Sequence, residues 1–183
     1  INLYFKNIGY LENSVSFSIN EKSFKKASVD LNVEQGPQYY IGKISSKIES
    51  RIIDSIYKSN KFHSFLKENE SFATKNFDVE RNRLYNLFKN NGIYGFQINS
   101  IVFSVMIDSI RNNYSLPVDI IINGNDYNIS KIKEINLTES NNETNFRFNN
   151  DFIESKIKFK KNSIFNDSLR RSTLKALNTL DLF

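Results

Sequence analysis

The 183-residue chain contains no cysteine and no tryptophan, one methionine, one histidine, six glycines and two prolines. Without cysteine there is no disulfide, no thiol nucleophile and no thiolate-held metal. That absence does not choose a compartment, because a periplasm suits such a chain as well as a cytoplasm does. The single histidine, His63, is accompanied in the sequence by Ser64, Asp54 and Asp78, but no nucleophile elbow or oxyanion-hole motif surrounds them. The chain is therefore read as non-enzymatic, with His63 on a helix or loop surface. Asp126, Glu134, Glu139 and Glu143 lack the spacing of a calcium loop, so no metal and no cofactor is expected. No apolar run approaches the ~20 residues a membrane-spanning helix needs.

What is present is enough to fold. Hydrophobic residues make up 39% of the chain and aromatics 14%, with 16 Phe and 9 Tyr. A composition of that kind builds cores rather than a disordered chain. The net charge of +5 comes from lysine (18, against 7 arginines) in a sequence holding 27 asparagines. Nucleic-acid binders concentrate arginine and stacking aromatics on one surface. Here the densest basic cluster, Lys156, Lys158, Lys160 and Lys161, alternates with Ile157 and Phe159. This pattern predicts a strand with one solvated and one buried face, and no nucleic-acid partner.

The main feature is internal repetition. Tyr39-Tyr40-Ile41-Gly42-Lys43-Ile44 returns as Tyr127-Asn128-Ile129-Ser130-Lys131-Ile132. Ahead of each copy lies an alternating apolar run closed by glycine: Val29, Leu31, Val33 and Gly36, then Val118, Ile120, Ile122 and Gly124. Phe5-Lys6-Asn7-Ile8-Gly9-Tyr10 returns as Phe88-Lys89-Asn90-Asn91-Gly92, followed by Ile93-Tyr94. A period longer than 80 residues exceeds the roughly 20–50 of solenoid repeats, so these are tandem domains. The predicted boundaries are 1–37 for the end of one module, 38–124 for a complete one and 125–183 for the start of another. Linkers are nearly absent, which restricts the angle between neighbours.

In the complete copy, Tyr39 to Ile48 reads as a strand. Ile52, Ile53, Ile56 and Tyr57 gather on one side of a first helix, and Phe62, Phe65 and Leu66 are expected to continue that apolar face after a kink or break near Ser59-Asn60. Lys67 to Ser71 is a loop turning at Asn69. Thr74 is placed to cap a second helix, whose buried stripe is Phe77, Leu84, Leu87 and Phe88. Glu80, Arg81 and Arg83 are assigned to its solvated side. The helix stops at Asn90-Asn91-Gly92. Alternation then predicts a strand from Ile98 to Asp108 and, after a turn at Arg111–Tyr114, a last strand carrying Pro117, Val118, Ile120 and Ile122. The order strand, helix, helix, strand, strand gives an α+β module, two helices packed on one face of a three-stranded mixed sheet. Residues 125–183 should supply the first strand of the next copy and a helix from about Asn166 to Leu180. Tyr39-Tyr40 is able to stack a base or sugar, but one ring in the core and one sealing the joint to the preceding module is the simpler reading, with Tyr127 in the same role at the next joint.

This order, with Leu66-Lys67-x-Asn69-x-x-Phe72, Glu80-Arg81-x-Arg83-Leu84, Gly92-Ile93-Tyr94-Gly95-Phe96 and Phe103 to Ser109, resembles POTRA domains, the periplasmic repeats of the outer-membrane β-barrel assembly family (BamA and TamA type). Phe165-Asn166, Thr173, Leu177, Leu180 and Phe183 look like the matching helix of the next repeat. The departures are Asn69 for the usual glycine and Ile93 for the first exit tyrosine. The resemblance implies tandem POTRA modules in the periplasm, attached through a transmembrane barrel outside this chain. It implies as partners assembly-machine accessory proteins and unfolded outer-membrane proteins, taken up by β-augmentation on an open sheet edge. The edge it points to is the strand after the second helix, with Ile98, Ser100, Val102, Ser104, Met106 and Asp108 as candidate client-facing residues. A receptor of the same fold feeding a secretion pore, or an α+β array that binds nucleic acid, are the competing readings. A C-terminal series of ~10-residue alternating strands in the parent protein supports either barrel reading. Steep salt dependence of DNA binding supports the last.

Overall fold

A computed structural model describes residues 1–107, 114–136 and 150–179. The elements are α1 (Asn2–Asn7), β1 (Ser14–Ser23), β2 (Lys26–Glu34), β3 (Tyr40–Ile48), α2 (Arg51–Ser59), α3 (Thr74–Asn90), β4 (Ile101–Val105), β5 (Ser115–Ile122), α4 (Asn150–Glu154) and α5 (Asp167–Asn178), with single 3-10 turns at Lys61–His63 and Ile98–Ser100. β1 and β2 form an antiparallel hairpin, and the second sheet has the order β3-β5-β4. In that sheet β3 runs parallel to β5 and β4 antiparallel to it. The predicted class holds: an α+β module with a mixed three-stranded sheet, in the order strand, helix, helix, strand, strand. No helix among the described residues is long and apolar enough to cross a membrane.

Contacts gather the chain into two compact units. One comprises Ile1–Ile48, Phe62–Arg81 and Ile101–Ile122; the other comprises Glu49–Lys61, Asn82–Ser100 and Asn123–Phe183. The first holds both sheets. Its core joins Tyr39 and Ile41 from the start of β3, Leu66 and Phe72 from the loop after α2, Phe77 from α3, and Leu116 and Val118 from β5. Phe77 lies edge-on to Phe103 of β4, with ring centroids 5.4 Å apart. Alternation explains β5: Leu116, Val118, Ile120 and Ile122 are all buried, while Ser115, Pro117, Asp119 and Ile121 are only half-buried. Pro117 pairs with Met106 just past the end of β4: its carbonyl accepts from Met106 N–H at 3.2 Å, and the donor it lacks falls at the end of the ladder rather than within it.

The second unit buries Ile53 and Tyr57 of α2 and Leu84 and Phe88 of α3, together with Ile93 and Phe96. Ser50 caps α2 through its side chain, accepting from Ile53 N–H. The end of α3 is closed by Ile93 N–H donating to Phe88 O at 3.1 Å across Gly92, which has φ +94°. Phe96 stacks at 4.8 Å from Phe88 and 5.3 Å from Tyr127.

Several expectations are corrected. Glu80 is not on a solvated side: it is fully buried, and its Oε2 accepts from Phe65 N–H at 2.9 Å. It follows Phe77 by three residues and precedes Leu84 by four, so it falls within the stripe those residues define. The break expected near Ser59-Asn60 is present: the chain leaves α2 at Asn60 into a 3-10 turn. Past it Phe62 and Phe65 do not continue the apolar face, and only Leu66 re-enters the core, leaving Phe62 75% exposed. Thr74 is the first residue of α3, and its hydroxyl donates to Asn7 O at 3.4 Å instead of capping. Ile98–Ser100 is a 3-10 turn closed by Ser100 N–H on Gln97 O at 3.1 Å, so the strand is Ile101–Val105. Residues 127–132 contribute one bridge, Lys131 with Ile164, in place of a strand; β3 owes its ladder to β5, and no strand among the described residues plays that part here. Lys156 to Lys161 lies in turns and coil after α4, not in a strand, with Lys158 Nζ donating to Ser172 Oγ at 2.7 Å. The turn expected at Arg111–Tyr114 lies outside the described residues except for Tyr114.

Candidate functional site

Two features of the described chain are candidates for function: the open border of the three-stranded sheet, and a main-chain clasp that occurs twice. The border is β4. In an antiparallel pair, main-chain groups point alternately toward the partner and away from it. Asn123 N–H donates to Ser100 O at 3.1 Å, and Met106 N–H donates to Pro117 O at 3.2 Å. With Val102 opposite Ile121 and Ser104 opposite Asp119, Ser100, Val102, Ser104 and Met106 therefore turn their main-chain groups inward to β5. Ile101, Phe103 and Val105 turn theirs outward, where no strand of the described residues lies. The side chains divide the other way. Ile101 is buried, and Phe103 and Val105 pack on the core. Val102 and Met106 are exposed, Met106 at 58%. The opposite border, β3, is occupied. Ile41 N–H donates to Glu70 O at 2.8 Å, Asn69 N–H donates to Ile41 O at 2.7 Å, and Ile44 N–H donates to Glu68 Oε1 at 2.9 Å.

The sequence-predicted edge residues are thus placed as follows. Val102, Ser104 and Met106 lie on or just past β4 with side chains away from the Phe77 side. Ile98 and Ser100 lie in the 3-10 turn before it. Asp108 lies outside the described residues. The residues whose free main-chain groups make the edge, Ile101, Phe103 and Val105, are in the same segment and were not singled out. Strand alternation applied to the backbone rather than to side chains identifies them.

Asp119 sits on β5 on the face shared with Val102. Its carboxyl is held below the usual carboxylate range by the hydrogen bond from Lys47 Nζ at 2.6 Å, and then by the hydrogen bond from the Ser45 hydroxyl.

The clasp appears once in each unit. In the first, Tyr39 N–H donates to Gly9 O at 2.8 Å and Phe72 N–H donates to Tyr39 O at 2.9 Å. In the second, Ser130 N–H donates to Gly92 O at 2.8 Å and Phe165 N–H donates to Ser130 O at 2.9 Å. The bridge Tyr40–Ser71 answers to Lys131–Ile164. Asn69 (φ +67°) answers to Asn162 (φ +64°). Asn7 O accepts from Thr74, and Asn90 O accepts from Asn166 Nδ2 at 3.1 Å. Tyr39 therefore corresponds to Ser130, not to Tyr127. The missed signal is Phe159-Lys160-x-Asn162-x-x-Phe165, which repeats Leu66-Lys67-x-Asn69-x-x-Phe72.

Tyr39 is buried, and its hydroxyl donates to Glu12 Oε1 at 2.5 Å; Tyr40 is exposed. Tyr127 is half-buried, its hydroxyl donating to Ser100 Oγ at 3.1 Å. The bond to Glu12, then burial, then the charge of Glu12 push the Tyr39 phenol from 10.0 up to about 12. The folded value lies above the unfolded one. Its contribution to stability is therefore complete below pH 10 and is lost as pH rises through about 12. Tyr39→Phe is expected to remove that part of the alkaline decline, read as the urea midpoint followed from pH 9 to pH 12. An unchanged decline in the variant contradicts this assignment.

No protein-family model matches the chain, and no curated protein matches it in sequence. Among solved structures, it is similar to POTRA3-5 of BamA from Haemophilus influenzae, at 15% identity and a TM-score of 0.49, covering 98% of this chain and 66% of that one. It is similar to BamA from Haemophilus ducreyi lacking POTRA domains 1-3, at 15% identity and a TM-score of 0.43, covering 67% of this chain and 21% of that one. It is also similar to POTRA1-3 of the periplasmic domain of Omp85 from Anabaena, at 11% identity and a TM-score of 0.32, covering 100% of this chain and 69% of that one. The chain spans less than two thirds of the length of either BamA structure.

Proposed function

We propose that the chain is a periplasmic array of POTRA-type modules, with boundaries near residues 37 and 124, that receives unfolded outer-membrane proteins and accessory subunits by β-augmentation on β4. The observation that carries this reading is the contrast between the two borders of one sheet: β3 is occupied by its own 68–71 loop, while Ile101, Phe103 and Val105 present outward donors and acceptors with no strand of the described residues beside them. Sheets normally blunt such a border. This one is left open and carries Val102 and Met106 beside it. The order of elements and the motif sequence that resembles POTRA domains support this reading, with the array beside an outer-membrane barrel.

Magnitudes favour transient capture. Three outward residues offer about six main-chain hydrogen bonds, each contributing roughly 0.5–1.5 kcal/mol. Ordering about five client residues costs roughly 1–2 kcal/mol each. These nearly cancel, so affinity depends on what Val102 and Met106 bury. A scaffold that must release its cargo works in that range.

The test uses proline at two adjacent positions. Val105→Pro removes an outward donor and no ladder bond. It should weaken binding of an extended outer-membrane-protein peptide at least fivefold, while lowering stability by less than about 1 kcal/mol. Ser104→Pro removes an inward donor and should cost about 3 kcal/mol of stability. Peptide affinity that is the same for Val105→Pro and the parent chain rules out β4 as the client edge.

A further inference from the structure

We propose that the tip of the β1–β2 hairpin is a membrane contact: Phe24 enters the interface of an anionic phospholipid bilayer while Lys22, Lys25 and Lys26 meet its phosphates. The tip is a different surface from β4, and this reading stands whether or not β4 takes clients.

The turn is built against its own stability. Ser23 pairs with Lys26 and Glu21 with Ala27, so Lys22 is the extra residue of a bulge. Bulges re-aim the side chains around them. Phe24 and Lys25 make the turn, and Lys25 has φ +67°. That region disfavours a residue with a Cβ; glycine, or failing that asparagine, takes it at least cost. At the other two non-glycine positions of this kind among the described residues the chain uses asparagine, Asn69 and Asn162. Here it carries lysine, next to an aromatic ring. The geometry of the hairpin asks for neither.

Both are presented to the surroundings. Phe24 is 89% exposed, more than any other large apolar side chain among the described residues. Lys25 Nζ stands 5.2 Å from the centre of its ring. Every residue from Glu21 to Ala27 is exposed, and three lysines against Glu21 leave this segment at +2. A partner must therefore take up a ring and also carry negative charge around it. A rigid surface encloses a ring on a convex tip only through a matching pocket, whereas the headgroup layer of a bilayer closes round it. Lysine suits that boundary, because its stem lies along apolar groups while the ammonium stays among the phosphates. Nucleic acid fits less well, since no arginine joins the ring at the tip. Each lysine near an anionic leaflet strengthens binding about fivefold, and only within a Debye length. The contact is weak and salt-sensitive, so it orients the hairpin without anchoring it.

The chain has no tryptophan, so Phe24→Trp places a single reporter at the tip. On vesicles of phosphatidylglycerol and phosphatidylcholine its emission should shift to the blue by about 10 nm. Phosphatidylcholine alone, or about 1 M salt, should abolish the shift. Phe62→Trp, a reporter at another strongly exposed phenylalanine, should not move. Sedimentation of the unaltered chain with the anionic vesicles should fall about tenfold in Phe24→Ser. Lys25→Asn should weaken it about fivefold and raise the thermal midpoint, because asparagine suits the turn better. No blue shift at Phe24→Trp overturns the proposal. So does an equal shift at Phe62→Trp, which would mean general adsorption of a basic chain. An equal shift at Phe24→Trp on a glutamate-rich peptide or single-stranded DNA also overturns it, by assigning the tip to a soluble polyanion.

Discussion

Phe88→Ala should destabilise the protein by about 3–5 kcal/mol, whereas Phe5→Ala should cost about 1 kcal/mol. The two phenylalanines hold the same place in the repeat. Phe88 is fully buried, stacked 4.8 Å from Phe96, in the unit that also buries Leu84 and Ile93. Phe5 is half-buried on a six-residue helix and touches Tyr4 and Tyr10 edge-on. Deleting a buried ring leaves a cavity as well as losing transfer free energy, and a half-exposed ring at the end of a short helix leaves none. Equal losses in urea melts of the two variants would mean that the two rings are equally enclosed, and would contradict their different burial.

Gly9→Ala should lower stability by about 3 kcal/mol, and Gly92→Ala by about 2 kcal/mol. Both sit in the left-handed region, where a side chain costs roughly 1–2 kcal/mol. They differ in what a methyl group would strike. At Gly9 the nearest atom is the Phe72 carbonyl oxygen at 2.7 Å, followed by the Tyr39 carbonyl oxygen at 3.2 Å. At Gly92 it is the Cγ2 methyls of Ile129 and Ile164, at 2.8 and 2.9 Å. Main-chain oxygens held in a clasp cannot withdraw without breaking it, whereas the isoleucine Cγ2 carbons can give way through a change in χ1 at a smaller cost. Amide exchange should report the same order: the Tyr39 N–H that Gly9 accepts should lose protection in Gly9→Ala, and the Ser130 N–H should lose less in Gly92→Ala. A reversed order would contradict the assignment of the less yielding contact to Gly9.

The second strand of the hairpin and the central sheet were legible because alternation of Val, Ile, Leu and Phe writes both faces into the sequence, and Gly92 closing α3 was legible because glycine takes the left-handed turn there. What was not legible depended on groups that leave no side-chain mark. One clasp uses the amide and carbonyl of Tyr39 and the other those of Ser130, so likeness of side chains pointed to Tyr127 instead. Matching Asn69 to Asn162, which both take the left-handed turn, finds the correct pairing. The free edge follows the same rule: choosing residues by exposed side chain selects Val102, Ser104 and Met106, whose backbone is already engaged with β5. Glu80 was hidden by its charge. A carboxylate inside an apolar stripe reads as solvated until its acceptor duty to Phe65 N–H is seen. The stretch around Phe62 misled in the opposite sense: the break near Ser59-Asn60 was legible, but the 3-10 turn that makes it leaves Phe62 and Phe65 out of phase with the apolar face of α2.

The most direct measurement is an amide NMR titration of the chain with an extended peptide from an outer-membrane β-strand. The account predicts that the Ile101, Phe103 and Val105 amides shift and gain protection together, while those of Val102 and Ser104, already bonded to β5, change little, and those of Ile41 and Ile44 on the occupied border do not move. Shifts confined to β3, or no shift in β4 at peptide concentrations in the millimolar range, would contradict it.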